Sequence, residues 1–335
     1  MSQTLANSRR GRSTRVVTGV ALALFVSLLV LWGVVSFWGD EAAIPSLFLF
    51  GPRWVVVVPF ALLVPLVIWT RSRRAIALTL LSGIIVAGPL TGGTAAVGPQ
   101  FVAERPALVQ LRVVSWNMGG RVDRPAFVQF LAQTGATLIV CQECGIGPDE
   151  LPKGWTLLGA GGNRVATPLP IRLDASLDFN PLGVGGRLDR FVLDTPDGEI
   201  TLIDVHLPTV RPGIETAMGS KFRDLSELRR IIGIREQASR SARAWVGEPA
   251  PNMIAVGDFN MPVESRIYRR DWSAFRNAFD DAGTGWGTTK QTSWFGVRID
   301  HILFAPSWRC RRIWVGPPMG SDHRPVIADL VREDD

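Results

Sequence analysis

The sequence predicts an α/β domain, in which two packed sheets are flanked by helices, preceded by a membrane region of three transmembrane helices. Two observations in the 335-residue chain predict this arrangement. Near the N-terminus, three apolar stretches, uncharged except for Arg53 in the second, are long enough to cross a bilayer. After Leu111, short apolar runs alternate with amphipathic stretches, a pattern typical of strands connected by helices. We therefore divide the chain into a membrane region at 1–103 and a second domain at 104–335, joined by a linker at 98–110.

The three predicted spans cover residues 16–38, 48–70 and 75–97. A basic start followed by an apolar run also occurs in cleavable signal peptides, but this run is too long for one, and further spans follow. The third stretch is rich in glycine. If it did not cross, the second domain would lie in the cytoplasm.

Arginine is distributed unevenly around these spans. Four arginines precede the first span and three lie between the second and third, whereas the first loop holds Asp40, Glu41 and only Arg53. Loops rich in Lys and Arg stay on the cytoplasmic side. The N-terminus is thus predicted inside, and residues 104–335 outside.

The net charge of +6 belongs to the membrane region. Residues 1–103 hold eight arginines and two acidic residues, whereas residues 104–335 hold 28 basic and 28 acidic residues. Proteins that bind nucleic acids usually present a basic surface. The neutral second domain therefore disfavours nucleic acid as a substrate. A local patch such as Arg309, Arg311 and Arg312 would be an exception, although a solvated face is the simpler interpretation.

The chain has three cysteines, Cys141, Cys144 and Cys310. An odd number does not form a disulfide framework, and one C-x-x-C pair cannot supply four zinc ligands. We expect buried or unreactive thiols, with a bridge from Cys141 or Cys144 as the alternative.

Two helices are clear in the second domain. Residues 125–134 lie between Asp123, which can cap a helix, and Gly135, which can end one. Residues 223–246 place apolar residues at helical spacing with charges between them. Further strands at 175–179 and 188–194, the second followed by a Pro-Asp-Gly turn at 196–198, complete the predicted sheets.

Polar residues recur where short apolar runs end. They form six blocks: Ser115-Trp116-Asn117, Gln142-Glu143, Asp204-Val205-His206, Gly257-Asp258-Phe259-Asn260, Arg298-Ile299-Asp300-His301, and Gly320-Ser321-Asp322-His323-Arg324-Pro325-Val326. All but the last follow or end a run rich in Val, Ile and Leu, as buried strands do. We therefore expect these polar residues to gather at one edge of a sheet.

Amides, carboxylates and imidazoles in this order suit the metal-dependent cleavage of a phosphate ester. At these blocks the chain resembles the endonuclease/exonuclease/phosphatase superfamily, which includes DNase I-like nucleases, AP endonucleases, inositol-polyphosphate 5-phosphatases and neutral sphingomyelinases. The resemblance extends from about Leu111 to Leu330, with every block in family order. It implies a four-layer α/β sandwich.

The resemblance also implies a division of labour in the site. Glu143, Asn117 and Asp322 are the expected ligands of Mg²⁺ or Mn²⁺. His323 is the expected general base, with Asp300 fixing its tautomer.

Three further roles follow from the same resemblance. Asp258 is expected to orient the attacking water, and Asn260 to contact the phosphate. His206 is expected to protonate the leaving oxygen or to bind the scissile phosphate. His301 should point to the opposite face of its strand from Asp300, and is predicted to be packed rather than catalytic.

The chain departs from the family pattern in places. Thr167-Pro168-Leu169-Pro170 stands where the family often has Ser-Arg-x-Pro, which removes a basic substrate contact. The single tyrosine, Tyr268, lies outside the block where AP endonucleases use one, which disfavours that subgroup. An acidic partner for His206 cannot be identified from the sequence, and no insertion suited to gripping a DNA duplex is evident.

These observations predict a membrane-anchored, Mg²⁺- or Mn²⁺-dependent phosphoesterase with an extracytoplasmic catalytic domain. Its substrate is a phosphate ester, and the anchor favours a lipid-linked or envelope compound. Two alternatives remain open: an extracytoplasmic nuclease, and a catalytically inactive membrane protein that binds phosphate groups.

Overall fold

The structure is a computed structural model in which residues 2–95 and 111–332 are described. The predicted linker at 98–110 and the predicted boundary after residue 103 lie outside the described residues.

The N-terminal region is helical. Its helices and helical turns are α1 (Ser2–Phe37), α2 (Ala43–Leu49), a 3-10 turn (Arg53–Val56), α3 (Val57–Thr70), α4 (Arg73–Ile85) and a π-helical turn (Val86–Leu90). Three helical stretches are long and apolar enough to cross a membrane: Gly11–Phe37, Arg53–Thr70 and Arg73–Leu90.

The second and third of these stretches are shorter than the predicted spans. The second begins at Arg53 instead of 48, because the pair Gly51-Pro52 separates it from α2, and a residue that precedes proline is disfavoured in a helix. The third ends at Leu90. Thr94–Ala95 then forms an extended strand that pairs with Thr284–Gly285 of the second domain.

The second domain contains two six-stranded sheets and several short strands. The strands in chain order are β1 (Thr94–Ala95), β2 (Leu111–Asn117), β3 (Leu138–Gln142), β4 (Thr156–Leu158), β5 (Arg164–Thr167), β6 (Ile171–Asp178), β7 (Arg187–Thr195), β8 (Gly198–His206), β9 (Met253–Asp258), β10 (Arg276–Asn277), β11 (Thr284–Gly285), β12 (Lys290–Gln291), β13 (Gly296–Val297), β14 (Asp300–Phe304), β15 (Trp308–Val315) and β16 (Val326–Arg332). The first sheet has the order β15-β16-β2-β3-β5-β4, and the second has the order β10-β14-β9-β8-β7-β6.

The helices of this domain lie between the strands in sequence. They are α5 (Arg124–Thr134), α6 (Arg211–Gly219), α7 (Ser226–Val246), α8 (Arg266–Trp272) and α9 (Ala278–Ala282). The predicted cap and stop of α5 are confirmed, since Asp123 accepts a hydrogen bond from the Ala126 N–H and Gly135 has a left-handed backbone. α7 begins three residues later than predicted. Residues 223–225 belong to the preceding turn instead, in which the Asp224 N–H donates to Oγ of Ser220 at 3.1 Å and the Asp224 carboxylate accepts from the Ser226 N–H at 2.8 Å.

Apolar side chains fill the space between the two sheets. Val113 and Val140 of the first sheet belong to one buried cluster with Ile254 and Ile302 of the second. Outside the sheets, α5 packs on the first, while α7 and α8 pack on the second. The domain therefore has the predicted four layers, helix–sheet–sheet–helix.

Strand direction places the polar blocks at a common edge. β2 and β3 are parallel, as are β8 and β9, so neighbouring strands in each pair end on the same side. Asn117 and Gln142 are the last residues of the first pair, and His206 and Asp258 are the last residues of the second.

The block around Asp300 reaches this edge differently from the prediction. We expected Asp300 to follow a strand at 297–299, but it is the first residue of β14. β14 is antiparallel to β9, and its Asp300 pairs with Asp258. Because an antiparallel strand begins where its neighbour ends, Asp300 still lies at the edge.

The loop between the first two apolar helices contacts the second domain through Asp40. Its buried carboxylate accepts hydrogen bonds from Ser265 Oγ at 2.6 Å and from the Ile267 N–H at 3.2 Å. The same carboxylate lies 3.6 Å from Nη1 of Arg235 on α7. A buried charge is stable only when it is paired and hydrogen-bonded, so these contacts fix the loop against the domain.

Candidate active site

One amide joins the two sheets at the shared edge. Nδ2 of Asn117 donates to Oε1 of Glu143 at 3.2 Å and to Oδ2 of Asp258 at 3.0 Å. Its Oδ1 accepts from the Gly119 N–H at 2.9 Å, which fixes the orientation of the amide. Two carboxylates that follow strands of different sheets are thereby brought next to one another.

His323 and Asp300 form a buried pair beside Asp258. Nδ1 of His323 lies 2.9 Å from Oδ2 of Asp300, and Nε2 lies 3.8 Å from Oδ2 of Asp258. With Nδ1 engaged by Asp300, Nε2 is the nitrogen that faces Asp258. This arrangement fixes both the tautomer and the orientation of the imidazole.

The charges around His323 determine its protonation. Burial lowers the pKa of His323, but the negative charges of Asp300 and Asp258 outweigh it and raise the pKa to about 9. The pKa of Asp258 is raised by burial and by the neighbouring Asp300, while His323 opposes this change. With these neighbours alone, the imidazole is cationic at neutral pH.

Asn260 is held in an unusual conformation next to Asp258. Its φ is 51°, and that of Glu143 is 45°, values that residues other than glycine rarely adopt. The Asn260 N–H donates to Oδ1 of Asp258 at 2.8 Å, and its Nδ2 donates to the carbonyl of Leu207 at 2.8 Å. Such strain is typical of functional sites, where surrounding contacts hold the residue in place.

Gly257 is required by the close approach of the strands behind the site. Its φ is 144°, and a Cβ at this position would lie 2.0 Å from the Val205 carbonyl oxygen and 3.0 Å from Nε2 of Gln142. A side chain would push β9 away from β8 and displace Asp258.

Glu143 and His206 are the more accessible residues of the site. Nε2 of His206 lies 3.8 Å from Oε1 of Glu143, and the two side chains are 20% and 50% exposed. No acidic partner of His206 could be identified from the sequence, and in the structure the neighbouring carboxylate is that of Glu143.

The carboxylate of Asp322 is paired with Lys290. The two side chains form a short ion pair, and about half of the Asp322 side chain is exposed. Burial raises the pKa of Asp322, but the hydrogen bond and charge of Lys290 lower it below the usual range. Among the described residues, one group is spaced closely enough to hold a metal ion: donor atoms of Asp258, Asp300 and His323 lie within 4.8 Å of one another. Asp322 is not a member of this group.

His301 lies away from this group, as predicted from strand alternation. It is buried, with Nε2 2.8 Å from the Met261 carbonyl oxygen and Nδ1 3.2 Å from Nδ2 of Asn277. A neutral ring with its proton on Nε2 satisfies both contacts. Burial lowers the pKa of His301 to about 4.

Arg235 was missed by the sequence analysis. It lies on the buried face of α7, donates from Nε to the Pro208 carbonyl at 3.1 Å, and donates from Nη2 to the Asn260 carbonyl at 2.7 Å. Pro208 follows the His206 block, so one guanidinium holds two loops of the site. The sequence does contain a signal that could have identified Arg235: it is a basic residue at helical spacing from the apolar Ile231 and Ile232, on the face of the helix expected to be buried.

Gln142 and Asp204 form a buried pair behind the site, with Nε2 of Gln142 2.6 Å from Oδ1 of Asp204. Burial raises the pKa of Asp204 well above its usual range. On either side of Gln142 and Glu143, the free thiols of Cys141 and Cys144 lie 3.0 Å apart.

The donor set fits a hard divalent cation. Such ions prefer oxygen ligands, carboxylates above all, and Glu143 and Asp258 supply carboxylates on either side of the Asn117 amide nitrogen. Two carboxylates joined through an uncharged group form a negative site that a divalent cation would neutralise.

The chain is similar in sequence and in structure to known proteins. A sequence model described as Endonuclease/Exonuclease/phosphatase family matches residues 114–323. Among solved structures, an endonuclease/exonuclease/phosphatase from Beutenbergia cavernae is 17% identical, with 67% of this chain and 72% of that chain covered and a TM-score of 0.48. A humanized D. rerio TDP2 is 13% identical, with 67% and 99% covered and a TM-score of 0.49. A search among curated proteins found no match.

Proposed function

The chain belongs to the endonuclease/exonuclease/phosphatase family, and on this basis we propose that it is a membrane-anchored phosphoesterase that hydrolyses a phosphate ester by attack of water. The observation that carries the proposal is the buried Asp300–His323 pair, which faces Asp258 at the edge where Glu143 also lies. A proton acceptor beside carboxylates that can hold a metal ion is the combination that such a hydrolysis needs.

In this proposal His323 is the general base. Asp300 holds Nδ1, so that Nε2 of the imidazole, which would be neutral once a bound metal ion lowered its pKa, can accept the proton of the attacking water. Asp258 lies 3.8 Å from this nitrogen and orients the same water. An oriented base of this kind contributes ~10² to 10⁴-fold to the rate.

Two further residues act on the phosphate group. His206, which is partly exposed beside Glu143, donates a proton to the leaving oxygen. Asn260 binds a phosphoryl oxygen through its amide, whose position is fixed by the carbonyl of Leu207.

The metal would be held by Glu143 and Asn117, with Asp322 as the third ligand. As a ligand, the Asn117 amide would turn its Oδ1 from the Gly119 N–H toward the ion. For this role Asp322 would exchange its contact with Lys290 for the ion. A bound Mg²⁺ or Mn²⁺ would supply positive charge that stabilises the oxygens around phosphorus and lowers the pKa of His323.

The substrate is proposed to be a lipid-linked or envelope phosphate ester. Three helical stretches with the length and composition of membrane spans support an anchor. The arginine distribution supports an extracytoplasmic second domain. The zero net charge of that domain argues against a nuclease, because neutralisation of phosphates provides most sequence-independent affinity for DNA.

The test is a substrate panel with the full-length protein in detergent, freed of metal by a chelator and then supplied with Mg²⁺ or Mn²⁺. The panel contains a generic phosphodiester, a lipid phosphate, an inositol phosphate, DNA and RNA. We expect metal-dependent hydrolysis, fastest with the lipid phosphate. Preference for DNA or RNA would favour a nuclease, and hydrolysis of none of the five would contradict an enzymatic function.

A further inference from the structure

A cavity of about 430 Å³ adjoins the proposed catalytic residues. Asn260 and Asp322, from two of the polar blocks, form part of its lining. Its volume is within the range of ~300 to 1,000 Å³ that small-molecule sites usually have. A substrate whose phosphate is bound at the catalytic edge can therefore extend a substituent into this space.

The cavity wall has an apolar part, which contributes most of its exposed surface, and a part lined by polar and charged residues. Its apolar lining residues are Phe50, Val210, Ile214, Phe295, Val297 and Ile299. Val210 and Val297 are buried, and Ile214 packs with Phe50 against a buried cluster. These side chains cannot hydrogen-bond a sugar or a nucleobase, so the apolar part of the wall favours a hydrocarbon substituent.

Part of this wall comes from the membrane region. Phe50 follows α2 and lies three residues before Arg53, where the second long apolar stretch begins. The guanidinium of Arg235 lies 4.9 Å from the centre of the Phe50 ring, which holds the ring against the second domain. The cavity is thus bounded both by catalytic residues and by a residue next to a membrane-spanning stretch.

Two cationic residues of the wall are neutralised by acidic residues that also line the cavity. Arg211 and Lys290 both line the cavity. Each is paired with an acidic residue, Arg211 with Glu215 at 2.6 Å and Lys290 with Asp322. If Asp322 binds the metal, Lys290 becomes available to a phosphate oxygen.

We propose that this cavity binds the hydrocarbon chain of a phosphate ester, so that the membrane region supplies part of the substrate site through Phe50. The inference rests on the proposed function for the identity of the phosphate group. It adds that a hydrocarbon substituent, and not the phosphate alone, is recognised.

The test uses n-alkylphosphonates, which carry a phosphate-like group and cannot be hydrolysed as esters. Binding of methyl-, butyl- and hexylphosphonate to the full-length protein in lipid nanodiscs is measured by calorimetry with Mg²⁺ present, and empty nanodiscs correct for partition into lipid. We expect the Kd to fall about threefold or more for each methylene added, the factor expected for burying it.

Two variants test whether the dependence arises in this cavity. Phe295→Asp places a charge in the wall, and Phe50→Ala removes the apolar contact from the membrane region. In both variants, the ratio of the Kd for methylphosphonate to the Kd for hexylphosphonate should be at least threefold smaller than in the wild type. The matched control is Val128→Asp, which introduces the same charge at an exposed apolar residue of α5 and should keep the wild-type dependence.

A Kd independent of chain length, or an undiminished dependence in Phe50→Ala and in any folded Phe295→Asp, would overturn the inference. The measurement is separate from turnover. Chain-dependent binding without hydrolysis of any ester would contradict the proposed function but support the cavity, whereas hydrolysis with chain-independent binding would contradict the cavity alone.

Discussion

Asp300 and His301 are adjacent residues with opposite environments. The side chain of Asp300 contacts the imidazole of His323 at the catalytic edge, whereas His301 contacts Met261 and Asn277 in the interior. Successive side chains of a strand point to opposite faces of the sheet, which places these two residues of β14 on different faces. The pKa of His323 is raised to about 9 by the neighbouring carboxylates, whereas burial lowers the pKa of His301 to about 4.

The neutral state of His301 predicts a loss of stability in acid. Its folded pKa of about 4 is below the ordinary 6.5, so the stability gained from keeping it neutral is complete above pH 6.5 and is lost as the pH falls to 4. For one group with this shift the loss is about 3 kcal/mol. The measurement is the free energy of unfolding of the full chain in detergent, from urea titrations at several pH values.

The comparison variant is His301→Asn, which cannot titrate in this range. It should be less stable than the wild type at pH 8, because it loses packing and a hydrogen bond, but the difference should shrink as the pH falls from 6.5 to 4. A difference that is constant with pH would contradict a neutral buried His301.

At the level of elements, the strand ends that carry the site could be predicted because buried apolar runs stop there. Asn117, His206 and Asp258 each end such a run and lie where the pattern indicated. The start of β14 could not be placed, because Val297 and Ile299 are apolar and buried without belonging to that strand. Val297 belongs instead to the short strand β13, and Ile299 lies between β13 and β14, a break that local periodicity does not report.

Contacts between distant segments were also beyond the sequence analysis. The pairing of Asp322 with Lys290 depends on a short hairpin, β12 with β13, that no pattern indicated. The contact of Arg235 with Asp40 joins α7 to the membrane region. A charged residue on a buried helical face signals some buried partner, but only the tertiary structure identifies it.

Arg235 is expected to position the catalytic loops. Arg235→Lys keeps the charge near Asp40 but loses the two-pronged contact with the carbonyls of Pro208 and Asn260. Displacement of these loops should lower kcat ~10- to 100-fold with a smaller change in KM. Steady-state kinetics on the preferred ester of the panel measure both constants.

Arg240→Lys is the matched control for this prediction. Arg240 lies on the same helix, and its side chain is 61% exposed and paired with Glu236, so both kinetic constants should match the wild type. Equal kcat values for Arg235→Lys and Arg240→Lys would contradict a positioning role for Arg235.

For the whole molecule, the arginine distribution predicts which side of the membrane carries the second domain. A reporter that is active only outside the cytoplasm, fused after Asp335, should be active, because three crossings follow a cytoplasmic N-terminus. Activity of a cytoplasm-only reporter at the same position would contradict this topology. Fusions within the loops at 39–52 and 71–74 identify which span fails to cross.

The central claim is that Glu143 holds a metal ion and His323, oriented by Asp300, accepts a proton from water. The measurement that tests it most directly is the rate of ester hydrolysis by full-length wild type, Glu143→Gln, His323→Ala and Asp300→Asn over a range of Mg²⁺ concentrations. Glu248→Gln is the matched control, since the Glu248 side chain is 86% exposed at the end of α7. We predict that excess Mg²⁺ partly restores Glu143→Gln, that His323→Ala loses ~10² to 10⁴-fold at every Mg²⁺ concentration, and that Asp300→Asn is a weaker version of the His323 defect. Equal rates for the wild type, Glu143→Gln and His323→Ala would contradict the account.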